Sequence, residues 1–555
     1  MLNYILQRIL TIKPTSRNQI FDVKREAALK YNKSDFPKNS DILKCYRENY
    51  SKRTQTLDKY FQQLLRAAPI RSLSGIVAVT VLTKPYECPG NCLFCPKEIG
   101  MPKSYLKNEP AAARAHALKF DPYLQVRKRI ESLEAQGHNA DKIELIILGG
   151  TWTYYLAQYQ SWFVRRCFEA ANEKKSKSLL TAQKEKKNLA SQNLEARKQK
   201  QKSLLGNTQL IIAQETNETA KHRIIGLTIE TRPDYIDEKE IVRLRKLGVT
   251  RVEIGVESID EKVLEFNNRG HGVEEVVRAT KLLRDAGFKI NYHIMLDLPG
   301  SSEKKDEAML ETLFSNERFQ PDWIKLYPTS VLETAPLYKL WKDGKYKPYS
   351  KEKLKDLIIR IKTKIPEYVR ITRVIRDIPL PDIVAGSEVS NLRQVIHDEM
   401  KRKGLACKCI RCREIKEGIY DKEIELVRRK YEASGGQEIF LSFEDKKKKN
   451  LYALLRLRLP SSDKHYIKEI EGAALVRELH THGDVVSLDT KIKNASQHKG
   501  LGKKLMKEAE KISKKQGYKK IAVISGIGVR GYYAKLRYKL EGTYMVKSLK
   551  KTYSI

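Results

Sequence analysis

Cys88, Cys92 and Cys95 stand in KPYECPGNCLFCPKE with the spacing C-x3-C-x2-C. Thiolates so spaced can each hold one iron of a 4Fe–4S cube. The fourth iron then has no protein ligand and can chelate the amino and carboxylate groups of S-adenosylmethionine. Structural zinc would use the same residue type, but it normally takes four protein ligands, and no fourth Cys or His is close in the sequence. Gly149-Gly150-Thr151 closes a later apolar run, IELIILGGT. Backbone without side chains at that point leaves room for the methionine amino group.

Cys407, Cys409 and Cys412 form a second motif, C-x-C-x2-C, in LACKCIRCREI. The flanking Lys and Arg lower thiolate pKa values. A structural zinc stapling helices fits this motif, a second iron–sulfur cluster is the alternative, and His397 is a candidate fourth ligand. A third motif, Gln497-His498-Lys499-Gly500-Leu501-Gly502-Lys503, matches Q-x-x-G-x-G at the start of a predicted helix. Backbone N–H groups freed there, with glycines allowing close approach, make a pyrophosphate cradle. The order of elements around it, with IAVISGIG and VRGYYAKLRY following, is similar to the GCN5-related N-acetyltransferase (GNAT) fold, whose cradle holds coenzyme A. That likeness places Tyr533 near the thioester sulfur, able to hydrogen-bond the departing thiolate.

Elements must bring these motifs into register. The apolar runs IVAVTVL (76–82), IELIILGGT (143–151), IIGLTIETRP (224–233), VEIGVESI (252–259), INYHIMLDLPG (290–300) and WIKLYPT (323–329) alternate with amphipathic helical stretches. Such strands imply parallel β/α units buried on both faces. Six units fall short of the eight of a closed barrel. The expected fold class is therefore α/β, a partial (β/α)6 barrel with the cysteine loop after its first strand. Glu230, Arg232, Glu257, His293, Asp297 and Lys325 gather where the strands run out, which is where such a barrel does its chemistry.

Residues 1–74 read as a basic helical segment suited to a polyanion, 75–349 as the barrel, 350–435 as a basic helical connector with the second cysteine motif, and 436–555 as the GNAT domain. Residues 172–222 interrupt the barrel with a Lys-, Gln- and Glu-rich insertion, either a solvated elaboration or an RNA-contacting arm.

Lys plus Arg number 107 against 68 Asp plus Glu, a net charge of +39 over 555 residues, which favours polyanionic partners. No run of about 18 apolar residues exists to span a membrane. The N-terminal MLNYILQRILTIKPT reads as an amphipathic helix and not a signal peptide. Six of the eight cysteines fall in the two tight motifs, which points to metal in a reducing compartment and a cytoplasmic location.

The motifs PIRSLSGIVAV, CPGNCLFCP, DPYLQVRKRIE, TIETRPDYI, EIGVES, HIMLDLPG, NLRQ, CKCIRCRE, RELHTHG, QHKGLG and AVISGIGVRGYY run almost end to end. In them the chain resembles the catalytic subunit of the Elongator complex and its stand-alone single-chain counterparts. The resemblance implies a radical S-adenosylmethionine (SAM) barrel fused to a GNAT domain. Its implied activity is that of a tRNA carboxymethyluridine synthase, converting the wobble uridine in the anticodon stem-loop towards 5-carboxymethyluridine derivatives. The implied cofactors are a 4Fe–4S cluster, S-adenosylmethionine, acetyl-CoA as cosubstrate and zinc; accessory Elongator-type subunits or a homodimer are further implied partners. A 5′-deoxyadenosyl radical would take hydrogen from the acetyl methyl, the carbon radical would add to C5, and thioester hydrolysis would leave the carboxymethyl group. The family's acetyl-CoA contacts carry over to Lys142, Glu478, Leu479, His480, Thr481, Leu501, Gly502, Lys503 and Tyr533. Thr481 and His482 depart from the usual pattern of an apolar and an aromatic residue. Two other classes compete: a protein lysine acetyltransferase with a structural cluster, and an RNA-binding scaffold with dead sites. A charge of +39 opposes docking of a basic tail, and the intact cysteine ligands and glycine motif oppose the scaffold.

Overall fold

The apolar runs become a parallel sheet in the computed structural model, which describes residues 1–50, 60, 63–66, 75–173, 197–389, 391–415, 423–462, 464–483 and 500–549. Strands β1 (Val77–Leu82), β2 (Lys142–Leu148), β3 (Arg223–Thr231), β4 (Arg251–Glu257), β5 (Lys289–Leu296) and β6 (Trp323–Pro328) lie side by side in chain order, all parallel. The six expected units are present, and the sheet then continues. After β7 (Ser330–Val331), which pairs only with β9 (Ala385–Gly386), a seventh parallel strand, β8 (Arg370–Arg373), joins β6. The sequence RITR does not read as a core strand because Ile371 is its one fully buried side chain.

Amphipathic helices cover the outer face. The helix Glu238–Leu247 starts where Asp237 accepts from the Glu240 N–H and stops at Gly248, whose φ of 88° ends it in a left-handed turn. The helix Val273–Asp285 turns Val276, Ala279 and Leu283 onto the strands. The 172–222 insertion is not wholly solvated. The last turns of its helix Arg197–Asn217 put Leu210 and Ala213 into the barrel core, and Asn217 holds Asn172 and the Ile224 N–H. Residues 174–196 lie outside the described residues.

Three N-terminal helices, Leu2–Ile12, Arg17–Lys30 and Asn39–Tyr50, close on a small core of their own that includes Ile5, Ile9, Val23 and Leu43. Arg47 and Arg66 tie this unit to the barrel through the carbonyls of Glu134 and Gly137, at 3.0 and 3.2 Å.

The second sheet has the order β10-β11-β12-β13-β14-β16-β15, with β10 (Ile424–Ala433), β11 (Gly436–Asp445), β12 (Leu451–Pro460), β13 (Ala473–Thr481), β14 (Lys520–Val523), β15 (Lys539–Glu541) and β16 (Tyr544–Ser548). The sequence boundary at 435/436 falls in the tight turn between β10 and β11. Thus β10 belongs to this sheet; charges at Glu425, Arg428, Lys430 and Glu432 hide its strand character. The one parallel pair, β13 with β14, holds only from Ala473 to Val476. Beyond it the last five residues of β13 have no partner in β14, which leaves a cleft in the sheet beside the start of the helix Leu501–Lys515, where Gly502 lies near Leu479 and Thr481.

The two sheets meet over buried charge. Arg477 donates to Asp322 and Glu438 at 2.9 Å, and Arg456 donates to Glu478 at 2.8 Å and to the Tyr368 carbonyl at 2.6 Å. Tyr544 and Arg245 add contacts across the same seam, through the carbonyls of Ala286 and Thr543. The C-terminal sheet therefore packs where the barrel strands begin, opposite the end at which they deliver the cysteine loop.

Candidate active site

A cavity of ≈ 620 Å³ fills the barrel interior, and Cys88, Cys92 and Cys95 all line it. The loop that carries them is fixed by the segment Asn267–Arg269. The Leu93 N–H donates to the Asn267 carbonyl at 3.1 Å, and Arg269 Nη1 lies 3.4 Å from the Cys92 sulfur. Arg269 is buried, which alone would lower its pKa, but Cys92 and Glu257 beside it raise it. Burial pushes the Cys95 thiol up to about 12. A metal-free pocket therefore keeps that thiol protonated, and metal would take its place.

The arrangement fits the group that the spacing implies. Among the described residues, two groups of three ligand atoms lie mutually within 4.8 Å, the thiols of Cys407, Cys409 and Cys412 and the trio Glu230, Glu253 and His293. The thiols of Cys88, Cys92 and Cys95 are set wider than that. One tetrahedral ion with Zn–S bonds of about 2.3 Å draws its sulfurs close together, whereas a cube takes each thiolate on a different iron. Arg232 Nη1 and Arg269 Nε are buried beside this loop without a hydrogen-bond partner, which suits an electron-rich cluster. At the end of β2, Gly149 and Gly150 have φ of 137° and 89°, and a Cβ on Gly149 would lie 1.8 Å from Thr83 Oγ1. Gly149→Ala is therefore expected to distort this turn and to abolish S-adenosylmethionine binding while iron content is kept, which equilibrium dialysis with the labelled cosubstrate would check.

Below the cysteines, β3 to β6 present a row of charge. Register sets Glu230 opposite Glu253 and His293 opposite Lys325. Lys325 contacts Glu253 closely and stands 3.5 Å from Glu230 Oε1. Glu253 also accepts from Asn291 and meets His293 Nε2, both at 3.0 Å. Burial would raise Glu253 and lower Lys325, but their mutual attraction overrides it, so Glu253 stays well below the usual carboxylate range and Lys325 stays charged. Lys325 occupies the space among Glu230, Glu253 and His293, so that trio already holds a cation of the protein's own.

Of the polar residues expected at the strand ends, Glu230, Arg232, Glu257, His293 and Lys325 line the cavity. Asp297 does not. It accepts from the Tyr349 N–H at 2.7 Å, its carbonyl takes the Tyr346 hydroxyl at 2.7 Å, and burial pushes its carboxyl up to about 7. Its job is to hold the following loop. Sequence reasoning missed Arg251, Glu253, Tyr105 and Arg269. The first two had a signal, since Arg251, Glu253, Gly255 and Glu257 alternate along β4 and all face the cavity.

The second cysteine trio sits where β8 meets the short helix Ile410–Arg413, with Cys409 buried and its thiolate favoured by hydrogen bonds from Cys407 and Cys412. Those three thiols can hold a metal ion. His397 does not join them: its side chain is 64 % exposed and lies 3.7 Å from Asp398.

In the C-terminal cleft, Gly500 takes a φ of 71° just before the helix Leu501–Lys515, and Gly502 faces Tyr532, Thr481 and Leu479, at 3.0, 3.8 and 3.9 Å from where its Cβ would be. The helix start, the end of β13 that β14 leaves unpaired and the short helix Arg530–Ala534, which carries Tyr532 and Tyr533, thus converge. Tyr533 is buried, ring to edge with Tyr532. Lys503 stands in the first turn of that helix, and His480 leaves its Nε2 without a partner beside His482. Glu478 points elsewhere, into the seam, where Arg456 overrides the effect of burial and holds its pKa at about 2. Lys142 opens β2 in register with Arg223, whose Cβ would be 2.6 Å from a Cβ on Gly528. Gln497 lies outside the described residues.

A partial barrel with a three-cysteine loop at its mouth and an interior cavity defines a radical SAM enzyme. Residues 84–313 match the Radical SAM superfamily, and residues 321–402 match the Radical_SAM C-terminal domain. The chain is 45% identical over 570 residues to the tRNA uridine(34) acetyltransferase of Methanocaldococcus infernus, covering 99% of each. It is 39% identical over 548 residues to Elongator complex protein 3 of Homo sapiens, covering 95% of this chain and 93% of that one. A solved structure of the archaeal Methanocaldococcus infernus Elp3, lacking its residues 1–46, superposes with a TM-score of 0.71 at 45% identity and covers 86% of this chain and 100% of that one. The chain belongs to the Elongator complex protein 3 family.

Proposed function

We propose that the protein modifies uridine 34 of tRNA, building a 5-carboxymethyl group at C5 from acetyl-CoA with S-adenosylmethionine as radical source. The observation that carries this reading is the single cavity shared by the three cysteine thiols and the buried Glu230–Lys325–Glu253 row, with a glycine-lined cleft on the adjoining sheet. The names of the relatives, tRNA uridine(34) acetyltransferase and Elongator complex protein 3, support the substrate.

Cys88, Cys92 and Cys95 would hold the cluster, and Gly149-Gly150 would admit the methionine end of S-adenosylmethionine. Bound there, the cluster supplies the electron that splits the sulfonium. The chain itself does the rest by placement: the barrel walls exclude water, the charged row orients a polar substrate, and Arg269 fixes the loop. Leu479 to Thr481, Gln497, Gly500 to Lys503 and Tyr533 would hold acetyl-CoA, with Tyr533 near its sulfur; Glu478 supports that strand through Arg456, and Lys142 reaches the ligand from the barrel side. Zinc at Cys407, Cys409 and Cys412 would pin the connector to β8. Residues 1–74 and the connector would grip the anticodon stem-loop.

Anaerobic reconstitution with S-adenosylmethionine, acetyl-CoA, tRNA and a chemical reductant such as dithionite to reduce the cluster, followed by nucleoside mass spectrometry, tests the reading: carboxymethylated uridine is expected, and its absence with intact S-adenosylmethionine cleavage would refute it. Binding of tRNA should weaken by about 10³-fold or more between 50 and 200 mM salt, as for several phosphate contacts. A filter-binding series showing flat affinity would contradict a phosphate grip.

A further inference from the structure

We infer that Glu230, flanked by Lys325 and Tyr105, reads the imide edge of the uracil ring and rejects cytosine. The inference rests on the reading that uridine is the base modified. All three side chains line the cavity shared with the cysteines, and all three are buried or nearly so.

The two carboxylates of the row differ in what they have left to offer. Glu253 is taken up by Lys325, His293 and Asn291, with Arg251 3.7 Å away. Glu230 has Tyr105 at 2.6 Å on Oε2, and on Oε1 the long 3.5 Å approach of Lys325, with His293 Nε2 at 3.9 Å. A carboxylate offers about four acceptor sites, so Glu230 keeps acceptor capacity toward the cavity. A barrel interior is ordinarily filled by branched apolar side chains, and buried ion pairs are weak contributors to stability. A charged row kept in an open cavity is therefore better explained by a ligand than by the fold.

The order of the row is donor, acceptor, donor: the Lys325 ammonium, the Glu230 carboxylate and the Tyr105 hydroxyl. The imide edge of uracil is the complement, with O4 accepting, N3–H donating and O2 accepting. When N3–H donates to Glu230, the Tyr105 hydroxyl that donates to Glu230 in this structure turns to a ring carbonyl, and Lys325, with three protons, keeps one for the other. Cytosine offers a bare N3 to the carboxylate and, whichever way round it sits, an amino group in place of one carbonyl. A base read in this way must leave its stack, as anticodon-loop bases do on protein surfaces. Tyr105 follows the cysteine loop, and Arg376 braces that segment by bonding Glu109 at 2.6 Å and stacking over the Tyr105 ring. The reading edge is thereby tied to the loop that holds the radical chemistry.

The test uses the reconstituted full-length protein and fluorescent anticodon stem-loops that differ only at position 34. Loops with uridine should bind about 10- to 100-fold tighter than loops with cytidine or 3-methyluridine, the size of one well-formed bidentate base contact. Glu230→Gln supplies an N–H where the carboxylate stood, and should bring cytidine to within about threefold of uridine, leaving a loop with no base at 34 bound as before. Equal binding of uridine and 3-methyluridine by the unaltered protein would overturn the inference, and that comparison stands even if Glu230→Gln fails to fold. If the unaltered protein carboxymethylates uridine yet ignores the 3-methyl group, this inference alone falls. If it carboxymethylates no uridine at all, the underlying reading falls with it.

Discussion

Cys92→Ser is expected to strip iron from the barrel and remove uridine modification while leaving tRNA affinity unchanged. Cys92 is the most enclosed of the three cysteines of the loop proposed to hold the cluster, buried with Arg269 against its sulfur. Serine is nearly the same size, so packing is kept and only the ligand is lost. The effect should exceed the roughly 100-fold at the top of the range for losing a mere outer partner of a metal ligand. Iron per chain, the visible absorbance of the reconstituted protein and nucleoside mass spectrometry read it together, with filter binding as the control. Full modification by an iron-free Cys92→Ser protein would remove the cluster from the chemistry. Arg269→Gln should act more mildly: iron is retained, while S-adenosylmethionine cleavage slows by about 10- to 100-fold, because the arginine steadies a ligand and is not one.

The six long strands were legible because burial on both faces demands unbroken apolar runs, and nothing else in a chain this charged produces them. The same logic explains the misses. β8 has one core residue, while Arg370 reaches across to Glu414 and Thr372 and Arg373 line the cavity, so it carries no apolar run. β10 lies at a sheet edge with charges on its open face, and edge strands are built that way to resist pairing. The cysteine loop was legible from spacing alone, since three thiols with three and two residues between them have few uses. Tyr105 and Arg269 were not, because they approach Glu230 and Cys92 from loops distant in sequence, and only the closing of the sheet brings them there. Glu253 lay between: a carboxylate in the middle of the apolar run VEIGV is out of place in a core strand, and a period of two puts it on the same face as Glu257.

Asp322→Asn is expected to cost about 3–5 kcal/mol of stability, the usual penalty for removing one partner from a buried ion pair. The carboxylate is fully buried just ahead of β6. It accepts from both ends of the Arg477 guanidinium, lies 3.4 Å from Arg456, and takes the Ile290 N–H at 2.9 Å. Arg477 and Arg456 come from the C-terminal sheet, whereas Asp322 and Ile290 belong to the barrel. The amide would keep the shape but leave two buried guanidiniums sharing Glu438 and Glu478 alone. Since Arg456 also holds Glu478 beside the proposed acetyl-CoA strand, loosening the seam should weaken acetyl-CoA binding as well as stability. Glu274→Gln is the control: it breaks an ion pair with Arg318 that is mostly exposed, and exposed pairs contribute little. Thermal melts monitored by circular dichroism, with acetyl-CoA titrations on the same samples, separate the cases. A melt of Asp322→Asn that matches the control would show that the two sheets are held by their apolar contacts and not by this charge.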